Sequence, residues 1–135
     1  MSRKSIIFPV NNKGGVGKTS LLVDLMSILS LDYKVGFLDM DGQGTLYGTL
    51  TGDYSHTNAE TSDYVGLDTK VVELFTGTEF KFAHGSKRLK IKVNPAQAPV
   101  ALFPLGLLYD KPATREKLES IVQRDMANVG MVAVD

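Results

Sequence analysis

Residues 11–20 read Asn-Asn-Lys-Gly-Gly-Val-Gly-Lys-Thr-Ser, and from Gly14 to Thr19 they supply three glycines, a lysine and a hydroxyl in close order. Without a Cβ, Gly14, Gly15 and Gly17 can take positive φ and bring the main chain close to an anion. Successive N–H groups across Gly14, Gly15, Val16 and Gly17 can then converge on phosphate oxygens, and a helix starting behind them adds a partial positive charge. Lys18 suits the β- and γ-phosphate oxygens, where charge builds up during transfer. The Thr19 hydroxyl suits a Mg²⁺ that keeps most of its waters and bridges the phosphates. Ser20 closes this set of candidate cofactor-binding residues. The chemistry that such a set supports is the binding of a nucleotide through its phosphates.

That chemistry needs a strand entering the loop and a helix leaving it, and both are written in the chain. Ser5-Ile-Ile-Phe-Pro-Val10 is an apolar run of strand character. Leu21, Leu22, Leu25, Ile28 and Leu29 recur at helical spacing and predict a buried helix face between about Lys18 and Leu31. Strand, glycine loop, Lys-Thr and helix together separate this segment from a glycine-rich turn that binds nothing. Pro9 fits the strand badly, because it removes a ladder donor.

The early lysine narrows the class. Asn12 stands where the general phosphate loop has its first glycine, and Lys13 follows it. This wording resembles the deviant Walker A motif of the ParA/MinD family of partitioning and positioning ATPases, most closely its ParA branch. The resemblance implies that Lys13 reaches across a nucleotide-sandwiched homodimer to the partner's phosphates, as an arginine finger does. It implies ATP and Mg²⁺ as cofactors. It also implies slow hydrolysis, completed only when the dimer and a stimulating partner protein are in place.

Two more segments carry the same resemblance. Tyr33–Leu38 reads as a strand ending in Asp39-Met40-Asp41-Gly42-Gln43-Gly44, similar to the family's first switch. A carboxylate at the C-terminal end of a parallel strand lies where open α/β sheets bind ligands. By resemblance Asp41 orients the attacking water and Asp39 lies near the Mg²⁺ shell, although either could simply form a strand-ending Asx turn. Gly42 replaces the family's usual proline. Asn128–Asp135 is an apolar run closed by an acid, as a buried parallel strand reads. It resembles the Walker B strand, which would give Asp135 a Mg²⁺-bound water to hold.

The rest of the chain is read more coarsely. Residues 44–66 have little periodicity and read as a switch or surface loop. Leu67, Val71, Leu74 and Phe75 have helical spacing, with Gly77 as a stop. Leu89–Val93 alternates like a half-exposed strand, and Val100–Phe103 looks like a buried one. Asp110-Lys-Pro112 introduces a helix from about Ala113 to Ala127, with Leu118, Ile121 and Val122 inward. Strands alternating with helices predict an α/β fold: a parallel sheet with flanking helices and right-handed crossovers, the P-loop NTPase architecture. The family's fold is about half built at Asp135. Residues 1–135 are therefore expected to be the N-terminal portion of one such ATPase domain, with any non-specific DNA surface lying beyond residue 135.

Composition excludes several alternatives. At 135 residues and 43% hydrophobic the chain can bury one core. Zero net charge gives no global pull towards nucleic acid or anionic lipid. The absence of cysteine removes disulfides, thiol nucleophiles and Cys-ligated metal clusters. No signal peptide or membrane-length apolar run is present, so a cytoplasmic address is expected. The basic cluster of Lys81, Lys87, Arg88, Lys90 and Lys92, with Phe80 and Phe82 between, reads better as a solvated face than as a nucleic-acid site. His56 and His84 lack metal-ligand spacing and read as surface residues. Two competing functions stay open: a dethiobiotin synthetase-like or amidoligase-like enzyme on the same scaffold, and an adaptor that binds nucleotide without hydrolysing it.

Overall fold

The computed structural model of the protein describes residues 4–8, 18–41, 43–55, 69–74, 96–103 and 112–135. These form β1 (Ser5–Ile7), α1 (Lys18–Leu29), β2 (Val35–Asp39), α2 (Thr45–Thr51), β3 (Lys70–Leu74), β4 (Ala96–Leu102), α3 (Pro112–Ser120) and β5 (Met131–Val134). After Ser120 the helix widens into a π-helical turn over Ile121–Asp125. The sheet order is β1-β5-β2-β4-β3. β1, β5, β2 and β4 run parallel, and β3 closes the edge antiparallel to β4. The expected α/β architecture is therefore present, and the sheet departs from the expected parallel one only at β3, an antiparallel edge strand of a kind common on doubly wound sheets.

β2 sits at the centre and is buried along its whole length. Alternation along the strands then divides the core into two layers. Phe37, Val35, Val100, Leu102 and Ala133 pack with Leu22 and Met26 of α1 and with Leu46 and Tyr47 of α2. Leu38, Ala101, Val132 and Val134 pack on the opposite face with Phe103, Ile121, Met126 and Val129. Lys4 ties β1 to this second layer by donating to the carbonyls of Met126 at 2.5 Å, Val129 at 2.9 Å and Ala127 at 3.2 Å.

Three expectations are corrected. α1 buries Leu22, Met26 and Ser27, whereas Leu21 is 68% exposed and Leu25 and Ile28 are each 41% exposed. The helix carries two apolar stripes, and the sheet takes the one at Leu22, Met26 and Leu29. Second, the expected loop after Gly44 contains α2. Third, Val71 and Leu74 belong to a strand rather than a helix. In β3, Val72 and Leu74 point inward while Val71 and Glu73 are exposed, so period two prevails over the i, i+3 match. Leu67, Phe75, Gly77, Pro9, Gly42 and the Leu89–Val93 run lie outside the described residues. So do His56, His84, Phe80, Phe82 and the cluster of Lys81, Lys87, Arg88, Lys90 and Lys92. Among the described residues no helix is long and apolar enough to cross a membrane.

Candidate functional site

β2 and β5 are neighbours paired in register, Leu38 opposite Val134. Their ladder continues by one step, with Met40 N–H donating to the Asp135 carbonyl at 2.8 Å and Asp135 N–H to the Leu38 carbonyl at 3.1 Å. Asp39 and Asp135 therefore end adjacent strands side by side. Because side chains alternate, both fall on the face that carries Phe37 and Ala133, which is the α1 layer. Two carboxylates thus stand at the C-terminal pole of a parallel sheet, where this kind of fold gathers ligands.

α1 brings the third oxygen. Lys18, Thr19 and Ser20 form its first residues, directly behind the glycine loop. Thr19 Oγ1 donates to Asp135 Oδ2 at 3.0 Å, which joins the helix start to the end of β5. Lys18 and Thr19 are half-buried and Ser20 is exposed. Lys13, Gly14, Gly15, Val16 and Gly17 lie outside the described residues.

Asp39 is wholly buried, and backbone N–H groups engage both of its carboxylate oxygens. Oδ1 accepts from Asp41 N–H at 3.1 Å and Oδ2 from Tyr47 N–H at 2.9 Å. Burial pushes its carboxyl up from the usual carboxylate range to about 6. The two backbone donors oppose that rise, while the negative charges of Asp135 and Asp41 add to it. Asp41 is exposed, and its Oδ1 accepts from Gln43 N–H at 3.1 Å, so it does form an Asx turn. Its carbonyl accepts from Gly44 N–H at 3.1 Å, which bends the chain into α2.

The structure thus gathers Thr19, Asp39 and Asp135 into one cluster, with Asp41 on the loop above it. These donors are all oxygens, the ligand type preferred by a hard cation. Mg²⁺ commonly takes one or two protein carboxylates and fills its shell with waters and phosphate oxygens. The Thr19 hydroxyl and the Asp135 carboxylate fit that demand. What the sequence reading missed is α2 and, with it, the Tyr47 amide. A signal existed in the i, i+1, i+4 placement of Leu46, Tyr47 and Leu50, all of which face the core.

A family model described as CobQ/CobB/MinD/ParA nucleotide binding domain (CbiA) matches residues 7–132. The match runs from the end of β1 into β5 and includes the glycine loop, Thr19, Asp39 and Asp41. No curated protein and no solved structure matches the chain.

Proposed function

The chain belongs to the CobQ/CobB/MinD/ParA nucleotide-binding domain family, and from that premise we propose that it is a Mg²⁺-ATP-binding and hydrolysing dimerisation switch of the ParA/MinD type. Its role would be plasmid or chromosome partitioning, or the positioning of another cargo. The observation that carries this reading is the 3.0 Å hydrogen bond between Thr19 and Asp135. It links the residue behind the glycine loop to the acid at the end of a parallel strand, the two groups that such a site needs on one cation.

In this reading the amides of Gly14, Gly15, Val16 and Gly17 bind the phosphates, and Lys18 supplies a fixed positive charge to the β- and γ-oxygens. Mg²⁺, when bound, neutralises phosphate charge. Thr19 would hold that ion directly, and Asp135 would hold one of its waters. Asp41, exposed on the loop beyond Asp39, would orient the attacking water. Lys13 would reach the phosphates of a second copy, so ATP would favour the dimer through contacts that ADP cannot make. A stimulating protein is the further partner that this function requires, and partitioning would add non-specific DNA, bound through regions beyond residue 135.

The family description also takes in CobQ and CobB, and that breadth favours one second reading: an ATP-dependent ligase that activates a substrate carboxylate. Lys13 separates the two. With the switch, ATP and Mg²⁺ shift the chain to a dimer in sedimentation velocity, and Lys13→Ala binds ATP but stays monomeric. The 135-residue chain alone is expected to release phosphate negligibly. Phosphate release that appears only with a small carboxylate present would establish the ligase instead. Nucleotide retained by a chain that stays monomeric with ATP and Mg²⁺, and with no turnover under any condition, would indicate an adaptor.

A further inference from the structure

α2 starts without a cap of its own. The residue at its N-cap is Gly44, which is left-handed at φ 62° and has no side chain to accept a hydrogen bond. A helix start normally satisfies its N2 or N3 amide with a Ser, Thr, Asp or Asn at the N-cap. Here the N3 amide is that of Tyr47, and its acceptor is Asp39 Oδ2 at 2.9 Å, eight residues back on the tip of β2. The other oxygen of the same carboxylate holds the Asp41 amide at 3.1 Å. One buried carboxylate therefore closes both ends of the loop that carries Asp41.

The far side of that loop is fixed as well. Tyr47 is 1% exposed, packed in the core layer with Leu46 and Leu102. The Lys70 ammonium of β3 lies 5.6 Å from the centre of its ring and also pairs with Asp53 at 3.3 Å. At its C-terminal end α2 is closed by Gly52, left-handed at φ 77°, whose N–H donates to the Gly48 carbonyl at 2.8 Å. α2 is thus anchored to the sheet, and Asp39 transmits that anchoring to Asp41.

We propose that Asp39 is a positioning residue: it caps α2 from the end of β2 and so sets where Asp41 stands, rather than serving as a ligand of the metal. Asp41 as the water-orienting group rests on the function proposed above; the cap itself does not. Each oxygen spends one lone pair on a backbone amide, at 3.1 Å for Asp41 and 2.9 Å for Tyr47, so the two bonds fix the carboxylate's orientation on the loop, and the Mg²⁺-ADP affinity of Asp39→Asn decides whether the remaining lone pairs serve a cation.

The test uses the full chain. In the unmodified protein, a through-hydrogen-bond scalar coupling should connect Tyr47 N with Asp39 Cγ by NMR, and it should persist when Mg²⁺-ADP is added. Loss of the coupling on loading would overturn the proposal, because Asp39 would then have turned to the metal. In Asp39→Asn, amide exchange at Asp41 and Tyr47 should accelerate at least about tenfold relative to Ala133. Mg²⁺-ADP affinity should stay within about twofold, while the extra affinity for ADP with aluminium fluoride should fall as far as it does in Asp41→Ala. A tenfold loss of Mg²⁺-ADP affinity with unchanged Tyr47 exchange would also overturn it. Should the unmodified chain bind no nucleotide at all, the proposed function fails and the positioning role with it, while the coupling still decides the cap.

Discussion

Thr19 and Asp135 stand 116 residues apart in sequence, and a hydrogen bond of 3.0 Å joins their side chains. The contact closes the structure on itself at the pole where β2 and β5 end. It also leaves the Thr19 hydroxyl pointing at a carboxylate, the arrangement in which a small cation could enter between them with little movement of either backbone.

The first prediction follows from that geometry. Thr19→Ala should weaken ATP binding in Mg²⁺ by about 10- to 100-fold, the range seen when groups supporting a metal are removed. In EDTA the same variant should match the parent within about twofold. Asp135→Asn should show the same pattern with a smaller loss, because it acts through a water. Titration calorimetry with and without Mg²⁺ measures both. An equal loss in EDTA would move Thr19 from the metal to the phosphates.

Asp39 makes a pH prediction with an unusual sign for a carboxylate. Its folded pKa is raised from 3.8 to about 6, so the folded chain holds the proton more tightly than the unfolded chain does. Its contribution to stability therefore increases as pH falls from about 6 to about 4, and above about 6 the penalty of the buried charge is present in full. Asn at this position cannot titrate. The stability of the parent relative to Asp39→Asn should thus improve by about 2 kcal/mol between pH 7 and pH 4. Urea unfolding of both proteins across that range provides the check, and parallel curves would mean that Asp39 titrates normally.

The central strands β2 and β5 were legible because they are apolar and buried on both faces. Val35–Asp39 ends in an acid, Asp135 directly follows Met131–Val134, and both acids lie at the expected pole. α2 was hard to read for a physical reason: Leu46, Tyr47 and Leu50 have helical spacing, but the composition around them opposes a helix. Thr-Leu-Tyr-Gly-Thr-Leu-Thr holds three threonines and a glycine, all poor helix formers, in only seven residues. Its helix forms because Leu46 and Tyr47 are buried and because Asp39 supplies the missing cap, both tertiary effects. β3 misled for a related reason. Val71 and Leu74 match a helical period locally, but β4 pairs with all five residues of the segment and imposes alternation. In the site, Thr19 and Asp135 were readable from motifs, whereas nothing in the local sequence around Tyr47 announces that its amide meets Asp39.

The two glycines that flank α2, Gly44 and Gly52, give a paired prediction about the switch. Gly44 (φ 62°) has Leu102 Cδ2 3.2 Å from where a Cβ would stand, whereas Gly52 (φ 77°) has nothing within 4 Å. Both substitutions to Ala carry the left-handed backbone penalty, about 1 kcal/mol each. Gly44→Ala must in addition displace a fully buried leucine, so it should cost about 2 kcal/mol in all, against about 1 for Gly52→Ala. Denaturant midpoints at constant m-value measure the difference, and equal losses would show that Leu102 yields freely.

The last prediction concerns Lys4, whose ammonium meets the carbonyls of Met126, Ala127 and Val129 where the chain leaves the π-helical turn for β5. β1 has only three residues and pairs along one side, with β5. Lys4→Met keeps most of the aliphatic stem and removes the donors, leaving half-buried carbonyls to find water. The loss should be about 1–2 kcal/mol, the scale of a charged hydrogen bond in a partly solvated setting. Because β1 leads directly into residues 11–17, looser pairing should also raise amide exchange at Ile6 and Ile7 and weaken nucleotide binding. That weakening should be alike in Mg²⁺ and in EDTA, which sets it apart from the metal-dependent loss of Thr19→Ala. A Lys4→Met chain with parental stability but impaired binding would mean that Lys4 acts on the ligand and not on the strand.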